Sequence, residues 1–444
     1  MESFRLRSLG FCVLVLLLSA CGQNPSCVEQ SKTDDNTDPF KKVQVEVGVD
    51  GSGSMLGYVS QKATHYSQTI DSLNTLLADK SVPTRYWRIG KGEKVSVPQE
   101  LSATEFLKAR SPQFYEACEP NAEPSAFPCV SSTLEQIYEI GGENPKQETL
   151  RILLTDLEPD NAAVGQLSGK ISSELKTHSN YKAVLLGVRS EYDGAIFLAD
   201  TGKTAGKYST QGKDVDREGR PFYVLMTGPS AAVDEMIERF QKLPLDVNQA
   251  IRASSFAIAG KDTLVMDKSK IPLQINSCTE QTGAINRQRP KANQQDQWLL
   301  MEYKCEGNAK PLELTIPSQK SVVLAGSEKL TPESFQVSNG AVEVKEVSVN
   351  GDQLTLFLMI DGAKFAKKKG QMITITLQKR DLDKATWQGW DTDVAAPDGA
   401  KTQNLNLFIG GLRDSVENVV QNIQQKKQAT QEAVKYCLGF TRYE

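Results

Sequence analysis

The sequence predicts an α/β domain on a doubly wound, mostly parallel sheet, followed by a β-rich, sandwich-like domain and a C-terminal helix. Three observations carry that expectation. Between residues 43 and 244, short strand-like apolar runs alternate with stretches whose apolar residues recur at helical spacing. Beyond residue 244 the segments QWLLMEYKC, PLELTIPS, AVEVKEVSV, QLTLFLMI, QMITITLQ and NLNLFIG follow one another without helices, separated by turn signals such as Asn350-Gly351. From residue 413 a helical period returns, with Val416, Val419, Val420, Ile423 and Val434 on about one face.

The chain opens with Arg5 and Arg7, the apolar run FCVLVLLL, and then Leu18-Ser19-Ala20-Cys21, a secretory pattern too short to span a bilayer core of about 30 Å. Those last four residues resemble a bacterial lipobox. The resemblance implies removal of residues 1–20, lipidation of Cys21, and attachment to a membrane of the bacterial cell envelope through an N-terminal lipid. Where lipoproteins are sorted by the residue after that cysteine, Gly22 rather than Asp favours the outer membrane. Residues 21–42 are polar and turn-rich and read as a flexible tether.

In the 43–244 domain, VQVEVGVD reads as a buried strand ending in Asp50, and ATHYSQTIDSLNTLLADK as a helix. TRYWRIGKGEKVSVP reads as two strands about a glycine turn. TEFLKAR and SSTLEQIYEI are helical and flank a cysteine-bracketed loop, and TLRILLTD is a second buried strand ending in Asp156. The helix VGQLSGKISSELKTH, the strand YKAVLLGVRS, a Gly- and charge-rich insertion, the strand RPFYVLMTG and the helix SAAVDEMIERFQKL complete it. Strands separated by helices imply right-handed crossovers, a sheet covered on both faces, and ligands at the carboxyl ends of its strands. Asp50 and Asp156 both lie there. Residues 245–412 then form the β-rich domain and 413–444 the terminal helix.

A chain of 444 residues, 39% hydrophobic and 24% charged, can bury at least two cores, and a net charge of −4 argues against nucleic acid as a partner. With Cys12 removed and Cys21 lipidated, an even set of cysteines remains. Pairing near neighbours and then the chain ends gives Cys118–Cys129, Cys278–Cys305 and Cys27–Cys437. No CxxC occurs and the only histidines are His65 and His178, so structural zinc is not expected.

The stretch VGVDGSGSM, residues 47–55, stops a buried strand at an acid followed by two spaced serines. A phosphate loop would carry a lysine after its glycines, and none follows. A nucleophile turn would read GxSxG, and neither Ser52 nor Ser54 sits in that frame. A hard-oxygen cation site fits better, because Asp50, Ser52 and Ser54 form DxSxS directly after a strand and Asp156 ends a later one in LLTDLEPDN.

This combination resembles the von Willebrand factor type A domain and its metal-ion-dependent adhesion site, over residues 43 to about 244. The resemblance implies that Ser52 and Ser54 bind the metal directly, that Asp50 and Asp156 act largely through bound water, and that a middle-loop threonine completes the set. Here that loop reads PCVSSTLEQIYEI: Thr133 matches by residue type and Ser132 by register to the following helix. Leu157 also departs from the pattern, since glycine often follows the acid. Oxygen-only, nearly neutral ligands suit Mg²⁺ or Mn²⁺. Such an ion stays electrophilic and can accept a carboxylate from a partner protein.

The expected function is therefore cation-dependent protein binding by an adhesin-like or envelope-assembly lipoprotein, with no catalytic residues. Two other readings stay open, a metal-assisted hydrolase and an envelope scaffold with a vestigial site.

Overall fold

The computed structural model describes residues 39–40, 42–78, 82–92, 98–118, 125–141, 147–158, 161–241, 251–258, 274–275, 285–287, 299–303, 312–318, 329–350, 353–361, 364, 370–424 and 431–442. The expected signal, most of the expected tether, and Cys21, Cys27, Cys278 and Cys305 lie outside the described residues. Phe40, near the tether's expected end, is buried in the first core. Among the described residues no helix is long and apolar enough to cross a membrane.

The first sheet is built from β1 (Val43–Asp50), β2 (Thr84–Ile89), β3 (Gln99–Leu101), β4 (Glu148–Thr155), β5 (Tyr181–Ser190), β8 (Arg220–Pro229) and β9 (Ile251–Ala257). A hairpin of β6 (Asp193–Phe197) and β7 (Thr204–Ser209) separates β5 from β8. The helices of this region are α1 (His65–Ala78), α2 (Ala103–Phe106), α3 (Asn161–Thr177), α4 (Val215–Glu218) and α5 (Ser230–Gln241).

The seven strands lie in the order β3-β2-β1-β4-β8-β5-β9. Only β1 with β2 and β1 with β4 pair in parallel; β8 runs antiparallel to both β4 and β5, and β9 antiparallel to β5. The expectation of a mostly parallel sheet is corrected to a mixed one. A parallel return needs a long crossover, usually a helix. Between β5 and β8 the chain offers a hairpin and the four-residue α4 instead, so β8 folds back beside β5.

Alternation along the strands divides the core. Leu150, Ile152 and Leu154 of β4 and Phe222, Val224 and Met226 of β8 join α1 and α5 on one face. Leu153, Tyr223 and Leu225 join α3 on the other.

The remaining chain supplies β10 (Gln274–Ile275), β11 (Ile285–Arg287), β12 (Leu299–Tyr303), β13 (Leu312–Pro317), β14 (Gln336–Val337), β15 (Val342–Asn350), β16 (Gln353–Ile360) and β17 (Gly370–Gln378). After these come α6 (Lys379–Thr386), β18 (Asp391–Thr392), β19 (Thr402–Gln403), α7 (Leu405–Gln424) and β20 (Glu432–Arg442). A six-stranded sheet, β10-β11-β12-β20-β17-β14, shares one core with the three-stranded sheet β13-β16-β15.

The C-terminal helix expected over 413–444 is also corrected. The helix spans Leu405–Gln424 and β20 follows it. NLNLFIG, expected as a strand, opens α7, because Leu405, Phe408, Ile409, Leu412 and Val416 continue a single helical stripe that packs in the core beside α3. Val434 lies in β20, which pairs with β17 and β12.

Residues beyond 244 therefore complete the first sheet's second face. Trp387 and Trp390 meet edge to face at 5.5 Å, and the Trp387 indole N–H donates to Ser254 Oγ of β9 at 2.8 Å. That serine donates to Asp383 of α6, which also holds Arg413 of α7 at 2.9 Å. Gly187 on β5 leaves room for both indoles: a Cβ there would lie 2.7 Å from the Trp387 ring and 2.9 Å from that of Trp390. Gly187→Ala is expected to lower stability to urea by about 1–3 kcal/mol through overpacking, with a shift of tryptophan emission in the folded protein.

Candidate functional site

β1 is the central strand of the parallel trio, and its last residue, Asp50, is completely buried. Its carboxylate collects three donors. Oδ1 accepts the Ser52 amide at 3.0 Å; Oδ2 accepts the Ser132 and Thr155 hydroxyls, each at 2.9 Å. The first of these bends the chain into the turn Gly53–Val59. There the hydroxyls of Ser52 and Ser54 lie 3.1 Å apart.

Asp156 follows the last residue of β4, the parallel neighbour of β1, and is 2% exposed. Its Oδ1 takes a long contact of 3.4 Å from the Glu158 amide, and its Oδ2, though buried, has no hydrogen-bond partner among the described residues. The same holds for the Thr133 hydroxyl, next in chain to Ser132. Asp50, Ser52, Ser54 and Ser132 are thus joined by direct contacts. Asp156 stands close enough for its charge to act on Asp50.

Burial, and then the charge of Asp156, push the Asp50 carboxyl up from an ordinary 3.8 to about 6, against the opposing hydrogen bonds. Glu158 is likewise pushed up to about 7 by burial, although its carboxylate pairs with Arg220 at 2.5 Å. Two acids side by side, one with an orphaned oxygen, beside paired serine hydroxyls make a set of hard donors able to hold a small divalent cation. No group of three or more His, Cys, Asp or Glu side chains that could hold a metal occurs among the described residues. Any cation site here depends on hydroxyls.

Residues that the sequence did not single out hold the cluster in place. Thr155 donates to Asp50 and accepts the Leu157 amide at 3.0 Å; its signal was a hydroxyl between a buried strand and an acid. Arg88, a buried charge within β2, donates to the carbonyls of Gly51 at 3.0 Å and Pro128 at 2.7 Å and stacks on Phe114. A Cβ at Gly51 would lie 2.7 Å from the Arg88 Nε, so the loop needs glycine there. Both histidines are engaged elsewhere: His65 Nδ1 is 2.8 Å from the Arg189 carbonyl, and His178 stacks on Tyr181.

The Cys118–Cys129 disulfide is present. Cys437 is disulfide-bonded too, its other half lying outside the described residues, as does the expected Cys278–Cys305 pair.

Leu157 adopts a left-handed φ of 54° and is 1% exposed, packed in the core that α3 and α7 share. Strain and burial oppose each other at this position. The left-handed backbone costs about 1–2 kcal/mol in a non-glycine residue, whereas losing a buried leucine costs about 2–5 kcal/mol. Leu157→Gly is therefore expected to lose about 2 kcal/mol net in urea unfolding.

Asp50 sets a second expectation. Its proton is held more tightly in the folded chain than in the unfolded one, so its contribution to stability falls as pH rises from about 4 to about 6, by about 3 kcal/mol, and is flat above. Asp50→Asn should remove that slope and raise the metal-free melting temperature at pH 7.5, as read by melting curves of both proteins across pH. No family model matches the chain, and no curated protein matches it.

Proposed function

We propose that this chain is a von Willebrand factor type A lipoprotein of the bacterial envelope that binds another protein through a divalent cation. The observation that carries the reading is the convergence of Asp50, Ser52, Ser54, Ser132 and Asp156 at the carboxyl ends of two adjacent parallel strands, with Asp156 Oδ2 buried and lacking a partner among the described residues. A buried, unpaired carboxylate oxygen is costly unless a cation or water meets it.

In this reading Ser52 and Ser54 hold Mg²⁺ or Mn²⁺ through their hydroxyls, and Asp50 and Asp156 steady its waters. Ser132 donates its proton to Asp50 and keeps its lone pairs for the ion, which favours it as the middle-loop ligand over Thr133. A bound cation supplies an electrophilic position that a partner's carboxylate can occupy. The neutral serines leave the ion's charge largely uncompensated, so a carboxylate binds there better than a neutral group. The sequence Leu18-Ser19-Ala20-Cys21 supports lipid anchoring at Cys21.

Saturating Mg²⁺ or Mn²⁺, at about a hundred times its Kd, is expected to stabilise the protein by about 2.7 kcal/mol. Asp50→Ala should abolish that shift and the chelator-sensitive retention of an envelope protein on the immobilised chain; Ser132→Ala should weaken both more than Thr133→Ala. Absence of any cation shift, with retention equal in wild type and Asp50→Ala, would leave a scaffold and overturn the reading.

A further inference from the structure

We propose that the Cys118–Cys129 disulfide is a positioning element for the cation cluster, so that cation affinity depends on the oxidation state of this one bridge. The proposal rests on the cation-binding reading above. The bridge joins two pieces of chain, and both touch the cluster.

On one side, Cys118 lies against the serine turn. A Cβ at Gly53, between Ser52 and Ser54, would come within 2.9 Å of the Cys118 Cβ. On the other side, the residues after Cys129 are fixed to the site and to the chain just after β2. Val130 pairs with Ser52, Ser131 exchanges both backbone hydrogen bonds with Lys91 at 2.9 Å, and Ser132 donates to Asp50 at 2.9 Å. The bridge spans a sequence separation of 11 and so fastens the floor of the serine turn to the segment that delivers the middle-loop hydroxyl.

Arg88 is a second fastener between the same pieces. Besides the carbonyls of Gly51 and Pro128, its guanidinium reaches that of Phe114 at 3.4 Å. With Arg88 in place, loss of the bridge frees the segment locally and leaves the sheet intact. Ligand geometry suffers before the fold does, because a cation such as Mg²⁺ tolerates little departure from octahedral placement.

Reduction by a dithiol breaks the S–S bond and takes up two electrons and two protons to leave two thiols, while the dithiol closes to its own disulfide. Reoxidation reverses the change. The bridge would then tie cation binding, and any partner binding that depends on it, to an oxidising surrounding.

The test measures Mn²⁺ affinity in four samples: oxidised wild type, wild type treated with a dithiol, wild type reoxidised, and the double variant Cys118→Ser with Cys129→Ser. The expected result is affinity at least tenfold weaker in the reduced protein and in the double variant, recovery on reoxidation, and no further effect of the dithiol on the double variant. Hydrogen exchange should show faster exchange at the Ser131 amide on reduction with β1 and β4 unchanged, a readout that a general loss of stability would not give. Should the double variant fail to fold, the reduction and reoxidation series is repeated on Cys437→Ser, whose second disulfide is already removed, and the same loss, recovery and faster Ser131 exchange there carries the positioning role, whereas an effect of the dithiol lost in Cys437→Ser overturns it. Tight binding by the oxidised wild type with equal affinity after reduction would overturn the positioning role and leave the cation reading standing. No binding by the oxidised wild type would overturn both.

Discussion

The organising constraint in this molecule is the burial of two carboxylates, Asp50 and Asp156, at the ends of neighbouring parallel strands. Desolvation, and after it charge repulsion, oppose it, as the upward push on the Asp50 carboxyl records. Offsetting it takes three hydroxyl or amide donors on Asp50, a rigid central strand, and fasteners such as Arg88 that hold loops against the sheet. A fold selected for stability alone would place apolar or neutral side chains at these strand ends. Strain at Leu157, directly after Asp156, falls in the same place.

Much of this was legible in the sequence because motif and periodicity coincide there. DxSxS directly after an apolar run located Asp50, Ser52 and Ser54, and the strand TLRILLTD located Asp156. The middle loop stayed ambiguous, since Ser132 and Thr133 carry the same group one residue apart and the loop's backbone decides which reaches Asp50. Arg88 gave only a weak signal, one of two arginines in the strand TRYWRI, and its role depends on carbonyls distant in sequence. Glu158 belongs to no motif, yet its side chain is 4% exposed and paired with Arg220.

Strand direction was less legible than strand identity. The segments RPFYVLMTG and YKAVLLGVRS are strands as expected, but what sets their relative sense is the connection between them, and a Gly- and charge-rich insertion did not announce that it lacks a crossover helix. In the same way NLNLFIG looked like a strand when taken alone. Its residues fit a helical stripe once joined to Leu412 and Val416, and packing against α3 selects the helix. The second error comes from judging a short apolar run apart from its tertiary neighbours.

The later part of the chain bears on the cluster through a specific route. Two residues past Asp156, Glu158 accepts the Gln403 amide at 3.1 Å as well as the Arg220 guanidinium, and Arg220 in turn donates to the Gly399 carbonyl at 3.0 Å. The segment 399–403 leads straight into α7, which Arg413 ties to α6, β9 and Gln431 just before β20. Breaking a buried pair such as Glu158–Arg220 by removing one member costs about 3–5 kcal/mol. Movement of the Asp156 loop that unseated Glu158 would disturb both the ion pair and the segment entering α7. A ligand can drive such a movement only to the extent that it binds the moved state better, and a free-energy difference of about 5.5 kcal/mol is needed to invert a 1:99 population. With that pair intact, the arrangement favours a preformed cluster, the Asp156 loop held by the part of the chain that β9, the two tryptophans and α7 press against the sheet.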